Sequence, residues 1–159
     1  MERFLYFYKM KHQLEFEQFI PASLDEVWQF FSDAKNLTVL TPKEMKMKVI
    51  TDLPETKIFE GMRIAYYVSP LFNIPVFWET EIIKVTNQHQ FIDIQLKGPF
   101  KSWKHTHTFT AKDNGVLMHD LIDYEMPFGF IGEIAHQPLV LKNLNQLFVY
   151  RKKICQEIF

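Results

Sequence analysis

IAHQPLVLKNLNQLFVYRKKICQEIF, residues 134–159, is the stretch that decides the fold. Read at 3.6 residues per turn, it sets Leu141, Leu144, Phe148, Ile154 or Cys155, and Ile158 along one side, widened by Val140 and Leu147. Gln137, Lys142, Asn145, Gln146, Lys152, Lys153 and Glu157 fall largely elsewhere. From Pro138 onward the spacing predicts a rod of about 33 Å. So wide an apolar stripe needs an extensive cover, and the residues before it read as the short alternating segments of a curved antiparallel sheet. The sequence thus predicts a sheet wrapped around a terminal helix, with a space between them to be filled.

Upstream of that helix, 102–110 and 116–126 read as strands joined through Lys112-Asp113-Asn114-Gly115, a hairpin-turn sequence. In the first of them Trp103, His105, His107 and Phe109 share one face, and Lys104, Thr106, Thr108 and Thr110 the other. Alternation also predicts strands over 62–68, 77–85 and 91–97, and another from Met45, Met47 and Val49. Leu14 and Phe16 between Glu15 and Glu17 mark a strand over 11–20, ended by Pro21. Ser23-Leu24-Asp25-Glu26 is a capping box: the serine oxygen accepts an orphan backbone N–H and Glu26 returns the bond. Helix 24–33 follows, with short turns expected at Asn36-Leu37 and Pro42-Lys43-Glu44. The first ten residues suit either a short strand or a packed arm. Connector 69–75 is apolar for a loop, and Leu71, Phe72 and Ile74 suit either a cap on a cavity mouth or a contact with another chain. No repeat or linker divides the chain, so one domain over 1–159 is expected.

Of the 159 residues 16% are aromatic and 16 are Phe, which suits a crowded core or an apolar pocket. A formal charge of -1 gives no global field to attract nucleic acid or an anionic membrane. A lone cysteine, Cys155, rules out an intrachain disulfide and a cysteine cluster for a metal, and is read as a small core residue. No signal-peptide pattern or membrane-spanning window is present, so a soluble cytoplasmic protein is expected, without stable membrane insertion. The glycines match no phosphate or dinucleotide loop, so no cofactor is expected.

Chemistry concentrates on one strand face. His105 and His107 share it, and with an acidic partner such as Asp120 they form a candidate acid–base set. A metal reading lacks the ligand spacing it needs, with Glu79, Glu81, Asp93, Asp120 or Asp123 left to supply a third ligand, and no metal site is assigned. For 91–97 the pattern is ambiguous. Asp93 and Gln95 share parity with Phe91, whereas Ile92, Ile94 and Leu96 hold the opposite face and would ordinarily point inward. If Asp120 or Asp123 is buried it needs a histidine or arginine partner, because an unpaired buried carboxylate is costly. Arg63 and Arg151 are candidates, although the default for both is a solvated charge on an apolar stem.

These pieces carry a resemblance: Gln18-x-Ile20-Pro21, Val27-Trp28-x-Phe30-Phe31, Asn36-Leu37 with Thr41-Pro42, and Trp78-x-Thr80-Glu81-Ile82. To them add Phe91-x-Asp93-x-Gln95-x-x-Gly98-Pro99-Phe100, Trp103-x-His105-x-His107-x-Phe109, Asp120 with Tyr124, and Pro127-x-Gly129-x-x-Gly132. Together they resemble the START-like, or Bet v 1-like, superfamily, in its bacterial SRPBCC branch related to polyketide cyclase/dehydrase proteins. The resemblance implies an α+β helix-grip fold, a seven-stranded antiparallel sheet clasping the C-terminal helix over a ligand cavity. The candidate ligand-binding residues are Met47, Tyr66, Trp78, Gln95, Trp103, His105, Tyr124, Leu144 and Phe148. The leading expectation is a cavity for a small, mainly apolar molecule such as a lipid, isoprenoid or aromatic metabolite. A cyclase- or dehydratase-like enzyme using His105, His107 and Asp120 is the alternative, and an interaction module with a filled groove is the third.

Overall fold

The computed structural model describes residues 11–55 and 57–159, so the expectation for the first ten residues lies outside it. The strands are β1 Lys11–Ile20, β2 Lys48–Val49, β3 Arg63–Val68, β4 Val76–Thr86, β5 Gln90–Lys97, β6 Ser102–Lys112 and β7 Gly115–Glu125. They form one antiparallel sheet in the order β1-β7-β6-β5-β4-β3-β2, not closed into a barrel among the described residues. Helix α1, Leu24–Phe31, and 3₁₀ turns at Ala34–Leu37 and Lys43–Met45 connect β1 to β2. At the far end, α2 Phe130–Ala135 runs through a π-helical turn, His136–Leu141, into α3 Lys142–Ile158. The sheet wraps α3, as the apolar stripe of that helix requires.

Local chemistry explains most boundaries. Ser23 accepts from the Glu26 amide at 3.3 Å and Glu26 accepts from the Ser23 amide at 3.0 Å, which closes the capping box and starts α1. The helix then lays Trp28 edge-on against Phe109, with ring centroids 5.5 Å apart. The β6–β7 hairpin pairs Lys112 with Gly115, and Asp113 takes the left-handed backbone its tight turn demands.

Two expected boundaries shift. The alternation of Met45, Met47 and Val49 yields only the two-residue β2, because Lys46 adopts a left-handed conformation after the 3₁₀ turn and breaks the pleat. The terminal helix begins before Pro138. Proline has no amide to close an ordinary α-turn, and the chain passes it by widening into the π-turn. The side chain of Asn143 donates to the Leu139 carbonyl at 2.7 Å and satisfies an oxygen of that turn.

The return from β7 is held by Gly132. A side chain there would overlap the carbonyl oxygen of Pro127, so the turn between them is wound too tightly for any other residue. Gly132→Ala is expected to cost about 1–3 kcal/mol through backbone displacement, read as a lower urea midpoint. An unchanged midpoint would show that the turn has room to spare.

Among the described residues two apolar clusters form the core. One joins α1 to residues of β3 to β7, among them Phe109 and Met118, and the other joins Trp103, Ile122 and Tyr124 to Leu144 and Phe148 of α3. Trp78 packs against both, and Phe16 of β1 stacks on Phe148 at 3.9 Å. Cys155 is buried, as a small core residue.

Candidate functional site

Between the inner face of the sheet and α3 lies a cavity of about 340 Å³. One region of its wall is aromatic: Trp78 meets Trp103 edge-on with centroids 5.3 Å apart, and Phe100 tilts over Trp103 at 4.8 Å. Met45, Met47, Leu37 and Leu40 add aliphatic surface, and Leu144 and Phe148 contribute from α3. The connector 69–75 divides its labour. Pro70 and Leu71 line the cavity, while Phe72 stands 76% exposed and Ile74 is also exposed.

The polar end is built by strand register. His107 lies directly opposite Phe91 on β5 and Asp120 on β7, and His105 lies opposite Asp93 and Ile122. The hydrogen bonds run along the diagonals of these pairs, within reach for long side chains on one sheet face. His105 donates through Nε2 to Asp120 Oδ1 at 2.8 Å, and His107 donates through Nε2 to Asp93 Oδ2 at 3.0 Å. His107 Nδ1 also lies 2.9 Å from Asp120 Oδ1, but without the alignment of a hydrogen bond, so that contact is electrostatic. The two imidazoles stand 3.7 Å apart, and His107 stacks on Phe91 at 4.0 Å.

Their environments separate the charges. Burial lowers the basicity of His105, and the charge of His107 lowers it further, against the pull of Asp120, so it is neutral at pH 7. Burial also opposes charge on His107, yet its contacts with Asp120 and Asp93 prevail and raise it above its ordinary 6.5. Burial disfavours the Asp120 carboxylate, but its two histidine partners more than compensate and hold it well below the usual carboxylate range. Burial pushes the Tyr66 phenol, which also lines the cavity, far above its ordinary 10, with Asp93 adding to the effect, so it remains a neutral hydroxyl.

Arg151 corrects the default reading of a solvated charge. It lines the cavity, donates through Nε to the Leu40 carbonyl at 3.1 Å and lies over the Phe148 ring at 5.0 Å. Part of the residue reaches solvent, whereas its guanidinium is enclosed. Its helical spacing from Leu144 and Phe148 was the available signal, since 144, 148 and 151 fall on one face. Arg63 keeps the default, exposed and paired with Glu81 at 2.9 Å.

Of the candidate ligand-binding residues, Met47, Tyr66, Trp78, Trp103, His105, Leu144 and Phe148 line the cavity, as do His107 and Asp120. Gln95 and Tyr124 are not among its lining residues. Gln95 turns its amide to the backbone of Phe100, donating to its carbonyl at 2.7 Å. Tyr124 is buried and bonded to His136 at 2.6 Å. Asp93, left open by the pattern of its strand, faces the cavity with Phe91. Its ligand atom and those of His105 and His107 lie within 4.8 Å of one another, and both imidazoles donate to carboxylates. Among the described residues, no helix is long and apolar enough to cross a membrane.

A wrapped sheet, a gripping C-terminal helix and the cavity between them define the helix-grip class of START-like and Bet v 1-like proteins. A family model described as polyketide cyclase / dehydrase and lipid transport matches residues 20–147, and the chain belongs to that family. No curated protein sequence matches it. Among solved structures, a START superfamily protein from Mycobacterium smegmatis is 12% identical with a TM-score of 0.70, over 93% of this chain and 99% of its own. The major latex-like protein 151 of Panax ginseng is 16% identical with a TM-score of 0.65, over 91% and 94%. A norcoclaurine synthase point mutant from Thalictrum flavum, in complex with a transition state analogue, is 19% identical with a TM-score of 0.65, over 93% and 96%. At such identities the likeness is one of fold.

Proposed function

We propose that the chain is a single cytoplasmic domain that binds a small, mainly apolar molecule with one polar end. The observation that carries this reading is the cavity itself: aromatic and aliphatic over most of its wall, with His105, His107, Asp93, Asp120 and Arg151 gathered at one part of it. Apolar transfer supplies most of the affinity, about 25 cal/mol for each Å² removed from water. The polar group fixes orientation, with the Arg151 guanidinium offering a charged donor to a carbonyl, hydroxyl or carboxylate oxygen beside the His107–Asp93 pair.

Titration with a fluorescent fatty acid, followed by native mass spectrometry of the purified protein, tests this. Saturable one-to-one uptake is expected, and Leu144→Trp, which intrudes on the cavity from α3, should weaken it at least tenfold. No uptake of the fatty acid or of an aromatic probe, and no copurifying molecule, would overturn the reading.

The buried histidine pair favours a second reading, an enzyme acting on a carbonyl compound by proton transfer. Protonated His107 would donate to the carbonyl oxygen, and neutral His105 would accept a proton, with Asp120 holding both in place. On this reading His107→Gln abolishes turnover of a bound cyclic ketone while leaving apolar uptake within a few-fold of normal.

A further inference from the structure

A second cluster of titratable groups stands apart from the cavity, where the chain returning from β7 closes on the start of β1. None of its members lines the cavity. His12 enters from β1, directly opposite Tyr124 on β7. Glu133 comes from α2 and His136 from the first position of the π-turn. His12 Nε2 lies 2.7 Å from Glu133 Oε2, the two imidazoles stack at 3.8 Å, and the Tyr124 hydroxyl is hydrogen-bonded to His136 Nε2 at 2.6 Å.

We propose that His12, Glu133 and His136 are a binding site for a divalent transition-metal ion of the zinc type. Two observations converge. One ligand atom from each residue lies within 4.8 Å of the other two. A tetrahedral shell with bonds of 2.0–2.1 Å asks for separations of about 3.4 Å, so the His12–Glu133 pair, now 2.7 Å apart, opens slightly and the rings turn, without new segments being recruited. The donor set is two imidazoles and one carboxylate, borderline nitrogen with hard oxygen, which suits Zn²⁺, Co²⁺ or Ni²⁺ and leaves positions for water.

The local chain is shaped for the purpose. Glu133 and His136 stand three residues apart along a helix, which puts both on one face. Gly132, immediately before Glu133, permits the tight turn on Pro127 that brings this face back to β1. His12 and Glu133 are each partly exposed, with side chains 23% and 15% accessible, so an ion has a path in. Tyr124, a neutral hydroxyl with its phenol pushed up to about 12 by burial and by Glu133, stands behind His136 as an orienting partner. The ion would replace the hydrogen bond between His12 and Glu133, and would tie α2 and the π-turn to β1.

The test is titration of the untagged, chelator-treated full chain with ZnCl₂ by calorimetry. One equivalent should bind with micromolar or tighter affinity, and the Tm should rise as zinc exceeds Kd. His12→Ala and His136→Ala should each weaken binding at least tenfold, and Glu133→Gln at least fivefold. His107→Gln, in the cavity, should leave the titration unchanged. Should a variant fail to fold, Co²⁺ added to the wild-type chain provides an independent readout: visible d–d bands of an N/O site, erased by an equivalent of Zn²⁺. No binding at 100 µM zinc would overturn the proposal. So would binding that survives His12→Ala and His136→Ala but is lost in His107→Gln, which would move the ion to the cavity histidines.

Discussion

Replacing Asp120 with alanine is expected to lower the stability of the fold by about 3–5 kcal/mol at neutral pH, the range for removing one member of a buried ion pair. Asp120 is 4% exposed and accepts from His105, while its charge also balances His107 and lies in the field of the Arg151 guanidinium. Alanine removes the anion and leaves those groups enclosed. Part of the loss therefore reflects the cost of uncompensated cations rather than the worth of the original bonds. Asp120→Asn keeps the shape and an acceptor but no charge, and should fall between the two. Urea denaturation checks both variants, and a loss below about 1 kcal/mol for alanine, typical of a surface pair, would show that water enters the cluster freely.

The same cluster predicts how stability varies with pH. His105 holds its proton less tightly in the folded chain than at its ordinary 6.5. As pH falls below 6.5 the unfolded chain takes up that proton first, so stability falls with it. His107 holds its proton more tightly than 6.5. Its contribution is fully present below that value and drains away as pH rises through its folded value. The two slopes meet in a maximum near pH 6.5. His136, lowered by burial and by His12, acts in the same sense as His105 and leaves a residual acid slope when His105 is replaced. Asp120 adds its own loss only below its ordinary 3.8. Urea midpoints between pH 5 and 8, with a chelator present, should show the maximum. His107→Gln should remove the alkaline limb and His105→Gln most of the acid one. An alkaline limb that persists in His107→Gln would refute the assignment.

The fold was legible because its strands alternate and its terminal helix carries a wide apolar stripe. The inward placement of Trp103, His105, His107 and Phe109 follows from parity along β6 alone. Parity failed to decide β5 because Ile92 and Ile94, which normally mark the core side, lie on the face away from the cavity. There they are only partly buried, while their strand neighbour Asp93 is held inside by His107. A buried carboxylate becomes tolerable only when its partner is known, and that partner sits on another strand. Arg151 was obscured in the same way, by two lysines that follow it and do face solvent. Glu133 and His136 share a helical spacing, but His12 is 121 residues from Glu133, too far for any pattern to join it to them. Gln95 and Tyr124 share parity with inward residues, but backbone and side-chain partners take their polar ends before the cavity can.

The π-turn at His136–Leu141 has a geometric consequence of its own. Each residue of an α-helix advances about 100° around the axis, and a widened turn resets that clock for everything beyond it. The C-terminal segment is thereby two helices out of phase, joined end to end but not presenting one face. Its first part directs Glu133 toward the sheet margin, while its second directs Leu144, Phe148 and Arg151 into the interior. Removing one residue from the turn would restore a single phase and swing one of these faces away from its target. The slip around Pro138 is what lets one helical rod address two places at once.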